Sequence, residues 1–155
     1  MFLLRRASPR LVSRPVVRAM SSSSQSSSAV RFEYSAGEDE EQLGRNATAL
    51  TTQGGGKWKV TNDNRGLERT FRFKTFKATW EFMNTVAAEC KVQKHHPEWT
   101  NVFDKTHIRW TTHKPLGLSS KDVTMARFCD EAGTRHGELP NVPEDDGCGC
   151  GDFQP

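Results

Sequence analysis

Lys91-Val92-Gln93-Lys94-His95-His96-Pro97-Glu98-Trp99 is the junction around which the chain is organised. Upstream of it, Ala78, Phe82, Met83, Val86, Ala87 and Cys90 recur at helical spacing, which predicts an amphipathic helix over 76–93. Pro97 disfavours the helical region for His96, so that helix stops before the two imidazoles. Downstream, Trp99–Asp104 and His107–His113 read as two strands around an Asp104-Lys105 turn. In the second of them Ile108 and Trp110 face one way, and His107, Arg109, Thr111 and His113 face the other.

Working outward, Lys57–Thr61 alternates, and Asn62-Asp63-Asn64-Arg65-Gly66 is rich in turn residues. In the following strand Leu67, Phe71 and Phe73 face one way, against Glu68, Thr70 and Arg72. This is a half-buried hairpin with one wet face. Before it, Glu38–Glu41 open a short helix with an apolar stripe at Leu43, Ala47 and Leu50, and Gly54-Gly55-Gly56 follows as a flexible turn. Ser119-Ser120-Lys121-Asp122 fits a capping box, opening a last helix that Val123, Met125, Ala126, Phe128, Cys129 and Ala132 bury and Gly133 stops. The predicted fold class is therefore α+β: a four-stranded antiparallel sheet with helices packed on one face, in the order α-β-β-α-β-β-α. Its open sheet edge suggests self-association.

The chain has 155 residues, 34% hydrophobic and 26% charged, with a mean hydropathy of −0.72. That length suits one domain. The first 28 residues combine Arg5, Arg6, Arg10, Arg14 and Arg18 with a serine run at 21–28, and the first acid is Glu33. This pattern predicts a transit-peptide-like, disordered leader over 1–30 and a mitochondrial matrix destination, with a chloroplast form or a shorter cytosolic form from Met20 as alternatives. The domain proper is expected over 31–133, and a flexible Gly/Asp/Cys tail over 134–155. Because the net charge of +3 owes much to the leader, it does not point to nucleic acid. No apolar run is long enough to span a bilayer. Cys90 and Cys129 fall inside predicted helices as buried thiols, and Cys148 and Cys150 make no CxxC pair and no zinc site by themselves.

Hairpin geometry bears on the histidines. With Asp104-Lys105 as a two-residue loop, His113 lies opposite His96, and a slip of one makes its partner His95 or Pro97. Opposed residues have Cβ atoms about 4.5–5.5 Å apart. His107 lies roughly 20 Å from His113 along an extended strand, which places it on a surface or interface. His136, in the tail, takes no role. Three converging imidazoles support zinc binding with an open position, proton transfer on a bound heterocycle, or an exposed cluster without a role, and spacing alone leaves the three level.

The combination His95-His96-Pro97-Glu98-Trp99, Asn101-Val102-Phe103, His107-Ile108, Thr112-His113, Gly117-Leu118 and Asp122 resembles the pterin-4a-carbinolamine dehydratase family. Phe71-Arg72-Phe73, Phe76 and Val86-Ala87 fit as well, so that the resemblance covers about Trp58 to Glu131. It implies dehydration of 4a-hydroxytetrahydropterin to quinonoid dihydropterin, recycling the tetrahydrobiopterin spent by aromatic amino-acid hydroxylases, with no metal and no cofactor beyond the pterin substrate. It implies a homodimer or homotetramer. Family catalytic histidines map onto His95, His96 and His113. Family substrate contacts map onto Lys94, His95, His96, Thr111, Thr112, His113 and Lys114, with Trp99 and Asp122 beside them. Trp99 serves as a pocket wall or as core. Asp122 serves to orient an imidazole or to cap the last helix. Lys91 stands where the family usually carries an acid, and Lys114-Pro115 replaces the more usual small or acidic residues. The alternative the resemblance leaves open is a non-catalytic pterin-binding, dimerisation or coactivator-type partner of the same fold.

Overall fold

A computed structural model describes residues 30–140. The leader up to residue 29, Met20, Cys148, Cys150 and the end of the chain lie outside the described residues. The elements run α1 (Glu40–Leu50), a single 3-10 turn (Thr52–Gly54), β1 (Lys59–Val60), β2 (Gly66–Arg72), α2 (Phe76–Gln93), β3 (Glu98–Val102), β4 (Lys105–His113), β5 (Leu116–Gly117) and α3 (Ser120–Arg135). The sheet order is β1-β2-β4-β3, with the short β5 folded back on the end of β4, and every pairing is antiparallel. The predicted α+β class and helix-strand order hold, with β5 added.

Local chemistry sets the helix ends. Asp39 caps α1 by accepting from the Gln42 N–H at 3.0 Å, and Thr75 caps α2 by accepting from the Ala78 N–H at 3.2 Å. At the other end of α2, Lys94 turns left-handed (φ 50°), and its N–H closes on the Cys90 carbonyl. The Ser119/Asp122 capping box forms in full at α3. The glycine run is less loose than its composition suggests. A Cβ at Gly56 would overlap the Leu50 carbonyl, so this glycine permits a close return of the chain.

Packing follows the alternation. Leu67, Phe71 and Phe73 join Ile108 and Trp110 on the helix-covered side of the sheet, beneath Phe82, Met83, Val86, Val123, Met125, Ala126 and Cys129. Phe82 sits 4.8 Å from Phe71 and 5.0 Å from Phe73, centroid to centroid, and ties α2 to β2. Burying each such ring contributes about 1.5–3 kcal/mol. Burial also acts on the thiols. Cys90 is pushed up to about 11 and Cys129 higher still, in both cases chiefly by desolvation. Cys90 then carries on the order of 100-fold less thiolate than an ordinary cysteine at neutral pH. Mass spectrometry after iodoacetamide treatment of the native protein is expected to find the fully buried Cys129 unlabelled and the half-buried Cys90 labelled slowly, and both labelled readily in urea.

Two expectations are corrected. The β3–β4 turn is Phe103-Asp104 rather than Asp104-Lys105, since Val102 pairs with Lys105 and Glu98 with Arg109. Phe103 takes a left-handed conformation (φ 48°) that no glycine or asparagine announces. The turn is held from outside the hairpin: Phe73 donates its N–H to the Asp104 carbonyl at 2.9 Å, and Arg72 donates to the Asp104 carboxylate at 3.1 Å. Secondly, α3 does not stop at Gly133. A Cβ there would lie 3.1 Å from the Phe71 ring, so this glycine lets helix and sheet approach. The left-handed residue after the helix is Gly137 (φ 75°). Residues 134–139 therefore belong with the domain instead of beginning a tail. Leu139 donates its N–H to the Arg72 carbonyl at 2.8 Å, and Glu138 pairs with Arg69.

Candidate functional site

The end of α2, the start of β3, the end of β4 and the start of α3 meet at one end of the sheet. Proline and the left-handed Lys94 turn the chain sharply there, so the His95 side chain leaves the helix axis. His95 donates its backbone N–H to the Cys90 carbonyl at 3.1 Å. Its ring stacks on Trp110 of β4, 5.4 Å between centroids and 26° between planes. Its Nε2 lies 2.6 Å from Oδ1 of Asp122. The imidazole side chain is 12% exposed and the carboxylate is fully buried.

Asp122 is held from several directions. Its Oδ2 lies 2.8 Å from the Ser119 N–H, 2.9 Å from Ser119 Oγ and 2.9 Å from Thr112 Oγ1. The two hydroxyl oxygens are 2.6 Å apart. A buried carboxylate needs such donors to offset its lost hydration. Because Asp122 accepts, the hydrogen-bond network assigns the His95 ring hydrogen to Nε2, leaving Nδ1 as the nitrogen with a free lone pair. Nδ1 has no hydrogen-bond partner among the described residues. The first turn of α3 also places Asp122 at the positive end of the helix dipole.

The remaining expected site residues are dispersed. Lys94 and His96 are exposed, and His96 makes no side-chain hydrogen bond or ion pair among the described residues. Trp99 pairs with Ile108 across β3–β4 and packs half-buried against the core, which favours the core reading over the pocket wall. Thr111 is buried and spends its hydroxyl on the Arg65 carbonyl at 2.9 Å. Lys114 is exposed, and Lys91 is exposed in the last turn of α2.

His113 does not sit opposite His96. The observed register carries β3 no further than Glu98, and His113 pairs with Leu116 of β5. Its Nε2 lies 3.5 Å from Glu98 Oε1, and Glu98 is also 3.5 Å from Arg109 Nη1. The hairpin thus brings His113 to a carboxylate rather than to an imidazole. Among the described residues, no three His, Cys, Asp or Glu side chains converge to hold a metal ion. A cavity of about 410 Å³ around Val30, Thr52, Trp58 and Lys59 shares no residue with the histidine end.

Sequence reasoning missed Trp110 as the platform under His95, and Ser119 as more than a cap. It also missed Glu98 as the partner of His113. The signal for Trp110 was present: it lies two residues before Thr112 on the same strand face.

A model of the family described as pterin 4 alpha carbinolamine dehydratase matches residues 39–132. Three curated relatives carry the name "Putative pterin-4-alpha-carbinolamine dehydratase". One from Novosphingobium aromaticivorans is 44% identical over 71 residues, 46% of this chain and 74% of the relative. One from Rhodospirillum rubrum is 40% identical over 73 residues, 47% of this chain and 76% of the relative. One from Bordetella avium is 37% identical over 81 residues, 52% of this chain and 75% of the relative. Among solved structures, the transcriptional coactivator/pterin dehydratase of Brucella melitensis superimposes with a TM-score of 0.54 at 26% identity, covering 61% of this chain and 95% of that one. With the family match spanning more than half its length and including His95, His96, His113 and Asp122, the chain belongs to the pterin-4-alpha-carbinolamine dehydratase family.

Proposed function

We propose that this protein dehydrates 4a-hydroxytetrahydropterin to quinonoid dihydropterin and water by histidine acid/base chemistry, in the recycling of tetrahydrobiopterin for an aromatic amino-acid hydroxylase. The single observation that carries this reading is the buried Asp122–His95 pair at the family's histidine motif. The reaction breaks the bond from C4a to its hydroxyl. A proton joins the departing oxygen, which leaves as water. The neighbouring ring nitrogen gives up its hydrogen as the carbon–nitrogen double bond forms. Both transfers suit imidazole, which changes charge near neutral pH.

In this reading His95 presents Nδ1 to the pterin while Asp122 and Trp110 fix its ring, and His113 supplies the second proton-transfer group. His96 positions or polarises the ring, and the backbone and side chains of Lys94, Thr111 and Lys114 border it. No metal or further cofactor enters the scheme. The open edge of β3 supports assembly as a homodimer or homotetramer. The Arg/Ser-rich leader supports mitochondrial import.

A second reading, a coactivator-type or dimerisation partner, draws on exposed aromatic surface. Phe76, Trp80 and Phe103 stand half-exposed or more and stack at 5.9 and 6.4 Å. The deciding experiment generates 4a-hydroxytetrahydropterin in situ and follows its dehydration by absorbance. Wild type is expected to exceed the uncatalysed rate, and His113→Ala to lose at least about tenfold of that gain. A wild-type rate no faster than the buffer control refutes the enzymatic reading and leaves the partner role.

A further inference from the structure

We propose that the hydroxyls of Thr112 and Ser119 form an interchangeable pair that holds the Asp122 carboxylate against His95. Both are then positioning residues for proton transfer. The inference rests on the dehydratase reading and extends it to side chains placed by their contacts with Asp122 rather than with substrate.

The argument is an inventory of hydrogens. Each hydroxyl carries one. Thr112 Oγ1 and Ser119 Oγ are 2.6 Å apart, a separation that requires a hydrogen between them. Both oxygens also lie 2.9 Å from Asp122 Oδ2. One hydroxyl hydrogen therefore remains for Oδ2. Two arrangements deliver it: Thr112 donates to Ser119 and Ser119 to the carboxylate, or Ser119 donates to Thr112 and Thr112 to the carboxylate. In both, Oδ2 receives the Ser119 N–H and one hydroxyl hydrogen, and Oδ1 stays free for His95.

Deleting either hydroxyl leaves the other to donate. Deleting both leaves a buried carboxylate oxygen with the backbone N–H alone, and frees the carboxylate to rotate away from the imidazole. Helix capping does not account for Thr112. The cap of α3 is complete within Ser119 and Asp122, whereas Thr112 arrives from β4. Its side chain shares the strand face of Trp110, so platform and carboxylate support reach His95 from the same surface.

The test uses Thr112→Val, Ser119→Gly and the double variant in the full chain. Glycine at the cap position loses little helix stability relative to serine, and it retains the N–H to Asp122. Circular dichroism checks the fold of each variant. Each single variant is expected to lower kcat by less than about threefold, and the double variant by on the order of tenfold or more, with KM nearly unchanged. Thr112→Ser in the Ser119→Gly background is expected to keep the single-variant rate. Nitrogen-15 NMR of the imidazoles is expected to show the Nε2–H tautomer of His95 in wild type and both single variants, and its loss in the double variant. The proposal is overturned if Thr112→Val alone costs as much as the double variant, or if the double variant keeps wild-type kcat and the His95 tautomer. If wild type shows no dehydratase activity, the functional reading fails by itself, and the tautomer comparison still decides whether the hydroxyl pair holds the dyad. Should the double variant not fold, Thr112→Ala/Ser119→Gly, which keeps the tolerated cap residue and places no methyl against the Asp122 carboxylate, is read in the same way.

Discussion

His95→Ala is expected to lower kcat/KM for pterin dehydration by about 10²–10⁴-fold, the range that a positioned acid/base group supplies. The expectation is larger for His95 than for the other two motif histidines because of its surroundings. Its ring is packed on Trp110 and tied to a fully buried Asp122 at 2.6 Å, so both orientation and tautomer are set before substrate arrives. His96 has no comparable restraint, and His113 touches Glu98 only at 3.5 Å between exposed groups. Asp122→Asn is the informative companion. It keeps the shape of the side chain but replaces an acceptor oxygen by a donor. Because the Ser119 N–H can only donate, the amide oxygen stays at the Oδ2 position and the new NH2 faces His95, whose ring hydrogen must move to Nδ1. A rate for Asp122→Asn equal to wild type, measured beside an inactive His95→Ala, would show that the carboxylate contributes only to the helix cap. Equal rates for His95→Ala and wild type would remove His95 from the chemistry.

The largest expected effect on stability belongs to a residue remote from the histidines. Arg69 lies on the core face of β2 between Leu67 and Phe71, and its side chain is 1% exposed. It pairs with Asp130 of α3 and with Glu138 beyond it, and its guanidinium stands 4.2 Å from the Phe71 ring centroid. Trp58 donates its indole N–H to the same Asp130 oxygen at 2.9 Å. Arg69→Ala would leave two carboxylates without their main cation, with Lys57 reaching Glu138 only at 3.7 Å. Breaking a buried pair from one side costs about 3–5 kcal/mol, and urea unfolding measures it. Loss of the surface pair Lys77–Glu81 is expected to cost less than about 0.5 kcal/mol.

The Arg69→Ala deficit also has a direction with pH. Burial already holds the Asp130 carboxyl above its usual range, with Arg69 pulling it back. Without Arg69, burial is opposed only by the Trp58 N–H and by Lys57, and that carboxyl moves further up. A folded-state value raised above the unfolded one favours the fold as protons bind. The deficit should therefore shrink as the pH falls from neutral toward the ordinary carboxylate range, opposite to the behaviour of an ordinary paired aspartate. A deficit that grows toward acid would contradict this account of the cluster.

Much of the architecture was legible because its causes are local. The α2 face repeats every three or four residues, and Phe82, Met83 and Val86 are buried as that spacing requires. The alternation of β4 places Ile108 and Trp110 in the core. Ser119 and Asp122 close a cap over three residues, a distance short enough to read directly. The β3–β4 turn was not legible in the same way. Its left-handed residue is a phenylalanine, and the contacts that stabilise it come from Arg72 at the end of β2 and Phe73 just after it. Moving the loop by one residue changed the cross-strand partner of every β4 residue, and with it the environment of His113. The ending of α3 failed for a related reason. Two glycines lie within reach of a helix terminus, and only the close approach of Phe71 distinguishes the packing glycine, Gly133, from the terminating one, Gly137.

The histidine motif divides along the same line. By itself, the sequence determined the family, the helix-to-strand junction that turns at His95-His96-Pro97, and the residue types able to move a proton. Only the tertiary structure decided which of them meet. His95 and Asp122 are 27 positions apart, and they meet because α3 packs over β4 with its first turn at the end of Trp110's strand face. His113 is sent to Glu98 by a register that depends on β2. Hydrogen bonds within a few residues are written in local patterns. A bond between a loop and a distant helix end depends on how whole layers pack, and one residue of register is enough to change it.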